Sequence, residues 1–441
     1  MGHTTSKGKP ARILKEGSIL VQYHITGGKP LRGTVPISGF KNAADGILPA
    51  AIMCDGEVHI ENVPCIKDVL LWLDIFRQMD VKVTPQGSNT FAIDATTVNT
   101  ETPPYDLMSK MRASYYLLGA MLGRFGKSTV SLPGGCEIGE RPIDQHIKAL
   151  EAMGAEIDIT GNIITATATD GKLHGAHVYF DVISVGATIN AILAAALAEG
   201  NTVLENVAKE PHVVDVANFL NSMGAHVRGA GTNVIKIRGV EKLHGCSYAI
   251  IPDQIEAGTY MAFAVATGGD LTITGVIPKH LESIIAKFRE IGAQVETSDD
   301  AVRVTRPGRI NRATVRTEEY PGFPTDMQPQ ITTLLCLADR QSTVTESIFE
   351  NRFKYVTELA RMGADVVVKN RVATVYPVKG FHGADVRACD LRAGAALIVA
   401  ALAAQGETNL SEVGYVERGY ENIIEKLQAV GASITRVETA D

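Results

Sequence analysis

The most constraining feature of this chain is a phrase that recurs about every 70 residues. In each copy a helix-like run ends at Gly-Ala, and a strand-like alternation of apolar and polar residues follows. A first, degraded copy has Asp80 in place of the glycine. The copies begin at Met79, Met153, Met223, Ile291, Met362 and Val430, at spacings of 74, 70, 68, 71 and 68 residues. Glycine commonly ends a helix in the left-handed conformation, and alternation is typical of a half-buried strand. The even spacing therefore predicts one α/β unit used six times.

The same period aligns charged residues at two helix entrances in every unit. The first place holds Lys41, Arg112, Val185, Glu256, Asp326 and Arg392. The second holds Lys67, Arg141, Glu210, Lys279, Arg352 and Arg418. Helix N-termini present backbone N–H groups and the positive end of the helix dipole, so basic residues gathered there favour anion binding. Each charge alone could equally be a surface cap or an ion pair, but the repetition favours a shared cleft.

Composition narrows the class of protein. A length of 441 residues predicts two or three domains, and six units divide naturally into two groups of three. The net charge of −7 argues against a nucleic-acid partner, whose binding surface is usually basic. The longest apolar stretch, near 393–404, is shorter than the roughly 18 to 20 residues that span a bilayer, so we expect no membrane insertion.

The chain start and the cysteines indicate a cytoplasmic protein. Residues 1–18 are polar and carry no secretory apolar segment, and we interpret them as a disordered tail. The six cysteines form no CxxC pair and have no histidine partners at zinc-finger spacing. We therefore expect no metal site, no disulfide framework and a reducing cytoplasm.

One cysteine stands in a different context from the others. Cys136 lies in SLPGGCEIGERPIDQH, with three glycines around it and Arg141 five residues on. Clustered glycines predict a mobile loop, and a nearby guanidinium favours the thiolate form of a cysteine. The alternative is a turn that happens to contain a cysteine.

Several longer motifs resemble the UDP-N-acetylglucosamine 1-carboxyvinyltransferases, a branch of the enolpyruvyl transferases. The segments, in chain order, are ISGFKNA, MRASYYLLGAMLGRFG, PGGCEIGERPID, SVGAT, FPTDMQ, ENRF, DLRA and ERGYE. The resemblance runs from about Ile19 to the C-terminus. The related transferases that act on shikimate 3-phosphate share the six-unit architecture but lack the PGGC loop, so that loop separates the two branches.

The resemblance implies an α/β fold, a two-domain inverted α/β barrel with six βαβαββ repeats, three per domain, around buried helices. Carried onto this chain, one domain covers residues 42–251 and the other combines 19–41 with 252–441. A double-stranded hinge joins them, and the active site lies between them.

The resemblance also implies the reaction and the site. The enolpyruvyl group of phosphoenolpyruvate is transferred to the 3′-hydroxyl of UDP-N-acetylglucosamine with release of phosphate, the first committed step of peptidoglycan synthesis, without a cofactor. Cys136 is the implied general acid and the target of fosfomycin, and Asp326 accepts the hydroxyl proton, with Lys41, Asp390 and Arg392 also catalytic. The implied phosphoenolpyruvate contacts are Lys41, Asn42, Arg141, Arg352, Arg392 and Arg418. The implied nucleotide-sugar contacts are Arg112, Arg141, Pro142, Ile143, Asp144, Gln145, Ser184, Val185, Gly186, Asp326 and Ile348.

Four residues depart from the commonest pattern of the family: Phe40, Asp45, Val182 and Glu417. Phe40 and Asp45 lie close to Lys41 in sequence, so we expect them to affect substrate affinity or loop dynamics. Two alternatives to the implied activity remain: an enolpyruvyl transferase with another hydroxyl acceptor, and a non-catalytic regulatory paralogue. Protein partners are not indicated by the sequence.

Overall fold

A computed structural model of the chain describes residues 19–98, 104–132, 138–139 and 142–440. The predicted tail at 1–18, Cys136 and Arg141 lie outside these residues. The strands are β1 (Ile19–Thr26), β2 (Arg32–Pro36), β3 (Glu57–Glu61), β4 (Lys82–Pro85), β5 (Phe91–Asp94), β6 (Lys127–Ser131), β7 (Ala155–Thr160), β8 (Ile163–Ala168), β9 (His177–Tyr179), β10 (Asn201–Glu205), β11 (His226–Arg228), β12 (Val234–Arg238), β13 (Ser247–Ala249), β14 (Asp270–Thr274), β15 (Gln294–Thr297), β16 (Ala301–Thr305), β17 (Thr314–Arg316), β18 (Ser342–Thr345), β19 (Asp365–Lys369), β20 (Val372–Tyr376), β21 (Asp385–Arg387), β22 (Glu407–Ser411) and β23 (Ser433–Ala440).

The helices alternate with these strands. They are α1 (Lys41–Ala51), α2 (Lys67–Gln78), α3 (Tyr105–Met108), α4 (Tyr116–Phe125), α5 (Asp144–Ala152), α6 (Val185–Ala196), α7 (Pro211–Ser222), α8 (Gln254–Thr267), α9 (Glu282–Glu290), α10 (Gln328–Cys336), α11 (Val356–Arg361), α12 (Leu391–Ala403) and α13 (Ile423–Ala429). Short 3₁₀ turns occur at Arg112–Tyr115, Pro278–Leu281, Thr325–Met327 and Val413–Arg418. Within the described ranges, no helix is long and apolar enough to cross a membrane.

The recurring phrase forms the same junction in all six units. In each of the five Gly-Ala copies a helix ends, the glycine adopts φ between 92° and 98°, and a strand follows within two residues. The degraded copy reaches the same conformation with Asp80, at φ 59°. A non-glycine residue at positive φ is uncommon, and Asp is among the residues that tolerate it best. The prediction of one α/β unit used six times is confirmed.

Each unit builds a small sheet, and among the described strands all but one of the six sheets mix parallel and antiparallel pairs. In residues 177–238 the order β11-β12-β10-β9 places β9 parallel to β10, and the other two pairings are antiparallel. Five sheets have four strands, and the described residues of the sixth form the three-stranded order β6-β8-β7. The predicted α/β class is confirmed. Among the described strands, the six sheets remain separate and open, and none closes into a barrel.

Three sheets are completed by strands that are distant in sequence. β13 runs parallel to β3, with Ser247 opposite His59. β2 runs parallel to β14, with Arg32 opposite Asp270. β1 lies between β22 and β23 in a third sheet. These pairings keep 42–251 apart from 19–41 and 252–441, which supports the domain division; the division itself stays a prediction.

The helices pack together behind the sheets and form the core. α8 and α12 are buried on nearly every side, which is why their sequences are apolar and rich in small residues around the whole circumference. α12 packs against α8 and α10, while α4 packs against α6. The N-termini of α1, α6 and α12 contribute residues to one shared cleft.

Helices α4 and α6 approach most closely at Gly119. The backbone N–H of Gly119 donates to Oδ1 of Asn190 at 2.8 Å. A Cβ atom added at Gly119 would lie 2.4 Å from the carbonyl oxygen of Asn190. Because the obstacle is backbone, the two helices would have to separate to accept a side chain.

We expect Gly119→Ala to lower the free energy of unfolding by about 1–3 kcal/mol, the usual effect of forcing extra atoms into a packed core. Gly308→Ala is the matched control, because a Cβ there would meet no atom within 4 Å. Urea denaturation of both variants measures the difference. Equal midpoints for the two variants would contradict the close approach of α4 and α6.

Candidate active site

The shared cleft has a volume of about 810 Å³. The residues that line it lie between Phe40 and Arg418 in the chain and come from both sides of the predicted domain division. Every described residue of the predicted site lines it. These residues are Lys41, Asn42, Arg112, Pro142, Ile143, Asp144, Gln145, Ser184, Val185, Gly186, Asp326, Ile348, Arg352, Asp390, Arg392 and Arg418. The structure thus brings together residues up to 377 positions apart in the chain (Lys41 to Arg418), and their individual roles stay predictions.

The repeat-based prediction of a shared cleft is wrong for three charged positions. Lys67 pairs with Glu417 at 2.5 Å, Glu256 with Lys426 at 2.7 Å, and Lys279 with Glu282 at 2.7 Å. Equivalent positions in different units therefore share a helix entrance without sharing a ligand surface. The side chains of Lys67, Glu256 and Lys279 and their partners do not line the cleft, whereas the carboxylates that pair with Lys41, Arg352 and Arg418 line it with them.

The first group of charges in the cleft centres on Asp68, at the start of α2. Its carboxylate accepts from Nε of Arg418 at 2.7 Å and lies 3.1 Å from Nζ of Lys41. Burial raises the pKa of Asp68, but the charges of Lys41 and Arg418 outweigh it and hold the pKa below its usual value. Nζ of Lys41 also lies 2.7 Å from Oδ2 of Asp45. Burial lowers the pKa of Lys41, yet the two carboxylates raise it above its ordinary value, so the ammonium stays charged.

The second group is a buried triad of Asp326, Arg352 and Arg392. Oδ1 of Asp326 accepts from Nη2 of Arg352 at 2.8 Å, and Oδ2 accepts from Nη2 of Arg392 at 3.1 Å. Burial raises the pKa of Asp326, but the two guanidinium groups lower it well below its usual range. The guanidinium of Arg392 also lies over the ring of Tyr420, 5.4 Å from its centroid.

This triad leaves donors for an anion. Arg352 and Arg392 are only 3% and 2% exposed, and within the described residues Nε of Arg352 and Nη1 of Arg392 are buried without a hydrogen-bond acceptor. Buried polar groups in native proteins almost always have partners, so Arg352 and Arg392 have hydrogen-bonding capacity beyond their pairs with Asp326. A guanidinium matches phosphate and carboxylate geometry particularly well.

Asp390 positions the start of α12. Its Oδ1 accepts from the backbone N–H of Arg392 at 2.9 Å and of Ala393 at 2.8 Å, which is an N-cap. The side chain of Arg392 pairs with Asp326 instead. Asp390 therefore orients the helix that carries Arg392 through that helix's backbone.

The wall opposite these cations is formed by the starts of α5 and α6. Ser184 caps α6 by accepting from the backbone N–H of Ala187 at 3.2 Å. Oε1 of Gln145 accepts from the backbone N–H of Asp181 at 2.9 Å, which ties the α5 start to the loop before α6. Two adjacent helix N-termini direct backbone N–H groups and positive dipole ends toward the cleft, an arrangement suited to a diphosphate.

A buried histidine lies between α5 and α6, and its hydrogen bonds fix its tautomer. Oδ1 of Asn190 accepts from Gly119, so Nδ2 of Asn190 donates to Nδ1 of His146 at 2.8 Å. Burial, with a smaller contribution from Arg112, lowers the pKa of His146 to about 4. The ring is therefore neutral near pH 7, with its proton on Nε2 beside Gly186.

The cleft is also lined by residues outside the predicted site, among them Asp45, Asp68, Glu210 and His212. The sequence singles out Asp45 and Glu210 without placing them in the site, and it does not single out Asp68 or His212. Asp68 follows Lys67 directly, and Glu210 is one of the repeated charges to which the sequence assigned no function. The repeat pattern therefore indicated the helix entrances at which these two residues lie. His212 packs edge to face on Phe40 with ring centroids 5.2 Å apart, and burial lowers its pKa to about 4. The ion pair of Asp45 with Lys41 has a sequence signal, because the two residues are four apart on one helix. The contact of Asp68 with Lys41 has none, because only the fold sets the distance between α1 and α2.

The chain matches known proteins over nearly its whole length. Residues 25–427 match the family described as EPSP synthase (3-phosphoshikimate 1-carboxyvinyltransferase). The chain is 56% identical over 416 residues to UDP-N-acetylglucosamine 1-carboxyvinyltransferase 3 of Caldanaerobacter subterraneus subsp. tengcongensis, covering 94% of this chain and 99% of that protein. It is 53% identical over 414 residues to the UDP-N-acetylglucosamine 1-carboxyvinyltransferase of Clostridium botulinum, with coverage of 94% and 99%.

Solved structures agree with this assignment. The enolpyruvyl transferase NikO from Streptomyces tendae superposes with a TM-score of 0.87 at 28% identity, over 96% of this chain and 100% of that one. An EPSP synthase from Acinetobacter baumannii superposes with a TM-score of 0.73 over 94% and 99% of the two chains, and its 21% identity shows the fold alone. The chain therefore belongs to the enolpyruvyl transferase family, and the relatives at 53% and 56% identity place it in the UDP-N-acetylglucosamine 1-carboxyvinyltransferase branch. The resemblance found in the motifs is confirmed.

The buried histidines predict a loss of stability in mild acid. An unfolded histidine binds a proton near pH 6.5, while His146 in the folded protein does so only near pH 4. Between these values the unfolded chain carries the additional proton, so the free energy of unfolding falls as the pH falls. We expect His146→Gln to show a shallower fall between pH 6.5 and 4, by on the order of a few kcal/mol over the window.

The exposed His226 supplies the control, since His226→Gln should leave the slope unchanged. Urea denaturation at half-unit pH intervals measures all three proteins. A His146→Gln slope equal to that of the unmodified protein would contradict the neutral buried ring.

Proposed function

We propose that this chain transfers the enolpyruvyl group of phosphoenolpyruvate to the 3′-hydroxyl of UDP-N-acetylglucosamine and releases phosphate, as a cytoplasmic enzyme of peptidoglycan synthesis. The observation that carries the proposal is the cleft itself, which is lined both by the guanidinium groups of Arg352 and Arg392 and by the N-termini of α5 and α6. The relatives that match the full chain bear the name of this activity.

Phosphoenolpyruvate carries a phosphate and a carboxylate on three carbons, so a site for it needs several cations within a short span. Arg352 and Arg392 form one cationic pair, and Lys41 and Arg418 form another around Asp68. Asn42 and Arg112 line the same cleft. Because carboxylates hold these cations in one cleft, the cations are already gathered there before the substrate arrives.

Asp326 needs an explanation as a proton acceptor, because a carboxylate held by two guanidinium groups is a weak base. An anionic substrate that draws Arg352 and Arg392 toward itself removes part of this stabilisation and raises the pKa of Asp326. The proton acceptor would then become competent only when phosphoenolpyruvate is bound. Binding of phosphoenolpyruvate before Asp326 becomes basic suits the chemistry, since the sugar hydroxyl must lose its proton as its oxygen bonds to C2.

The nucleotide sugar would occupy the wall made by α5 and α6. Residues 142–145 and 184–186 line that wall at the starts of α5 and α6, where all but Pro142 carry a backbone N–H, and Arg112 adds a cation. Ile348 lines the facing side, close to Asp326. The 3′-hydroxyl would then point toward Asp326 and toward C2 of phosphoenolpyruvate, with the diphosphate on the helix starts.

The reaction also needs an acid and a way to restore the double bond. Protonation of C3 makes C2 electrophilic, the sugar oxygen bonds to C2, and its proton passes to Asp326. The C2–O bond to phosphate then breaks, C3 loses a proton, and the enol ether and phosphate remain. We assign the acid to Cys136 from the motif resemblance; its position lies outside the described residues.

Phosphate release with phosphoenolpyruvate and a panel of acceptors tests the activity. We expect release with UDP-N-acetylglucosamine and none with shikimate 3-phosphate or UDP-glucose. Release with a different acceptor alone would contradict the assigned substrate. No release with any acceptor, from a protein that binds UDP-N-acetylglucosamine, would instead favour a non-catalytic paralogue.

Substitution of Cys136 separates acid catalysis from a structural role. General acid catalysis contributes about 10²- to 10⁴-fold, so Cys136→Ser should lose at least that much turnover. Cys136→Asp keeps a proton donor, and we expect residual turnover together with escape from covalent inactivation by fosfomycin. Cys65→Ser, at an exposed cysteine, is the control and should remain active and sensitive. A near-normal rate in Cys136→Ser would overturn the assignment.

A further inference from the structure

Asp45 is a buried carboxylate on the helix that opens with Lys41. It lies one turn after Lys41 on α1 and is 5% exposed. Its Oδ2 accepts from Nζ of Lys41 at 2.7 Å, and its Oδ1 accepts from Nε1 of Trp72 at 3.1 Å. Trp72 is the only tryptophan of the chain and is fully buried. A continuous chain of hydrogen bonds therefore runs from Trp72 through Asp45 to the ammonium in the cleft.

Such a carboxylate is unfavourable for stability alone. Apart from Lys41 and Asn42 at its start, helix α1 buries its remaining residues, and a charge among them must be paired to be tolerated. The partner that Asp45 uses is a cation of the anion site. An apolar side chain at this position would pack without needing a charged partner. We therefore ascribe the role of Asp45 to its contact with Lys41.

The geometry limits what the ammonium can do. An ammonium has three donors, and Asp45 and Asp68 account for two of them, at 2.7 and 3.1 Å. The third is then directed by these two anchors instead of rotating freely. Burial raises the pKa of Asp45, and the ammonium of Lys41 at 2.7 Å opposes that rise. Asp45 and Asp68 thus set two carboxylates against the cations Lys41 and Arg418 at the place where an anion would bind.

We propose that Asp45 is a positioning residue that aims the ammonium of Lys41 and weakens the binding of phosphate-bearing ligands in the cleft. The inference rests on the proposed function in taking phosphoenolpyruvate as the donor. Weaker binding of phosphate helps the reaction at its last step, because the product phosphate is released in the same cleft. A fully cationic cluster would retain the product and slow the turnover that follows.

The same contacts make Trp72 a reporter of the anion site. Its indole N–H donates to a carboxylate whose other oxygen binds Lys41, so an anion that attracts Lys41 changes the electric field at the indole ring. Because there is no other tryptophan, the emission signal has one source. Inorganic phosphate and phosphoenolpyruvate, each without UDP-N-acetylglucosamine, serve as probes.

Asp45→Asn removes the charge while keeping a side chain of the same shape. We expect calorimetric titration to show about 3- to 30-fold tighter binding of phosphate and of phosphoenolpyruvate, as expected for losing one negative charge near an anion. The turnover number should fall while the KM for phosphoenolpyruvate also falls. The control is Asp74→Asn, which removes an exposed carboxylate from α2, paired with Arg77, without altering the cleft. Unchanged or weaker phosphate binding in Asp45→Asn would overturn the proposal.

The unmodified protein provides a second test that does not depend on the folding of the variant. Phosphate should change the emission of Trp72 with the same concentration dependence as the calorimetric signal, and Lys41→Gln should abolish the change. A silent Trp72 at saturating phosphate would count against the Trp72–Asp45–Lys41 connection. Neither measurement requires turnover, so a failure of the proposed transfer to UDP-N-acetylglucosamine would be seen separately in the acceptor panel.

Discussion

Buried ion pairs between cations and carboxylates hold the cleft of this protein in shape. Guanidinium and ammonium groups can stay charged in a site this enclosed only when opposite charges stand beside them. Asp326 serves Arg352 and Arg392, and Asp68 serves Lys41 and Arg418. The carboxylates thus fix side chains that would otherwise repel one another, and they keep the cations ready for an anion.

The helices explain why those charges meet. In each unit one helix ends at a left-handed residue and a strand follows at once, which fixes the direction of that helix relative to its sheet. Buried helices such as α8 and α12 require small apolar residues on all sides, which leaves polar side chains to their ends. The N-termini of α1, α6 and α12 therefore bring functional groups to one place, and Asp390 and Ser184 cap two of these helices there.

The electrostatics of the cleft also restrain the chemistry in the absence of substrate. Asp326 is held as a weak base and Lys41 is anchored by two carboxylates, so neither group is fully available until an anion competes for the cations. His146 and His212 stay neutral because they are buried, and they add no charge to an already crowded site. A phosphate-bearing substrate would thus change the pairing of several groups at once.

The sequence by itself determined the repeated unit and the helix entrances, and its motifs predicted residues that meet in the cleft. The Gly-Ala phrase is local, because a left-handed residue after a helix depends on the conformational freedom of that residue, and the motifs around Lys41, Asp326 and Arg392 are contiguous. Only the tertiary structure decided which sheets recruit β1, β2 and β13, because strand pairing between distant segments depends on the whole chain. It also decided that Lys67, Glu256 and Lys279 are paired away from the cleft while Asp45 and Asp68 join it. Helix periodicity shows which residues share a face, but the distance between two charges on different helices is set by packing alone.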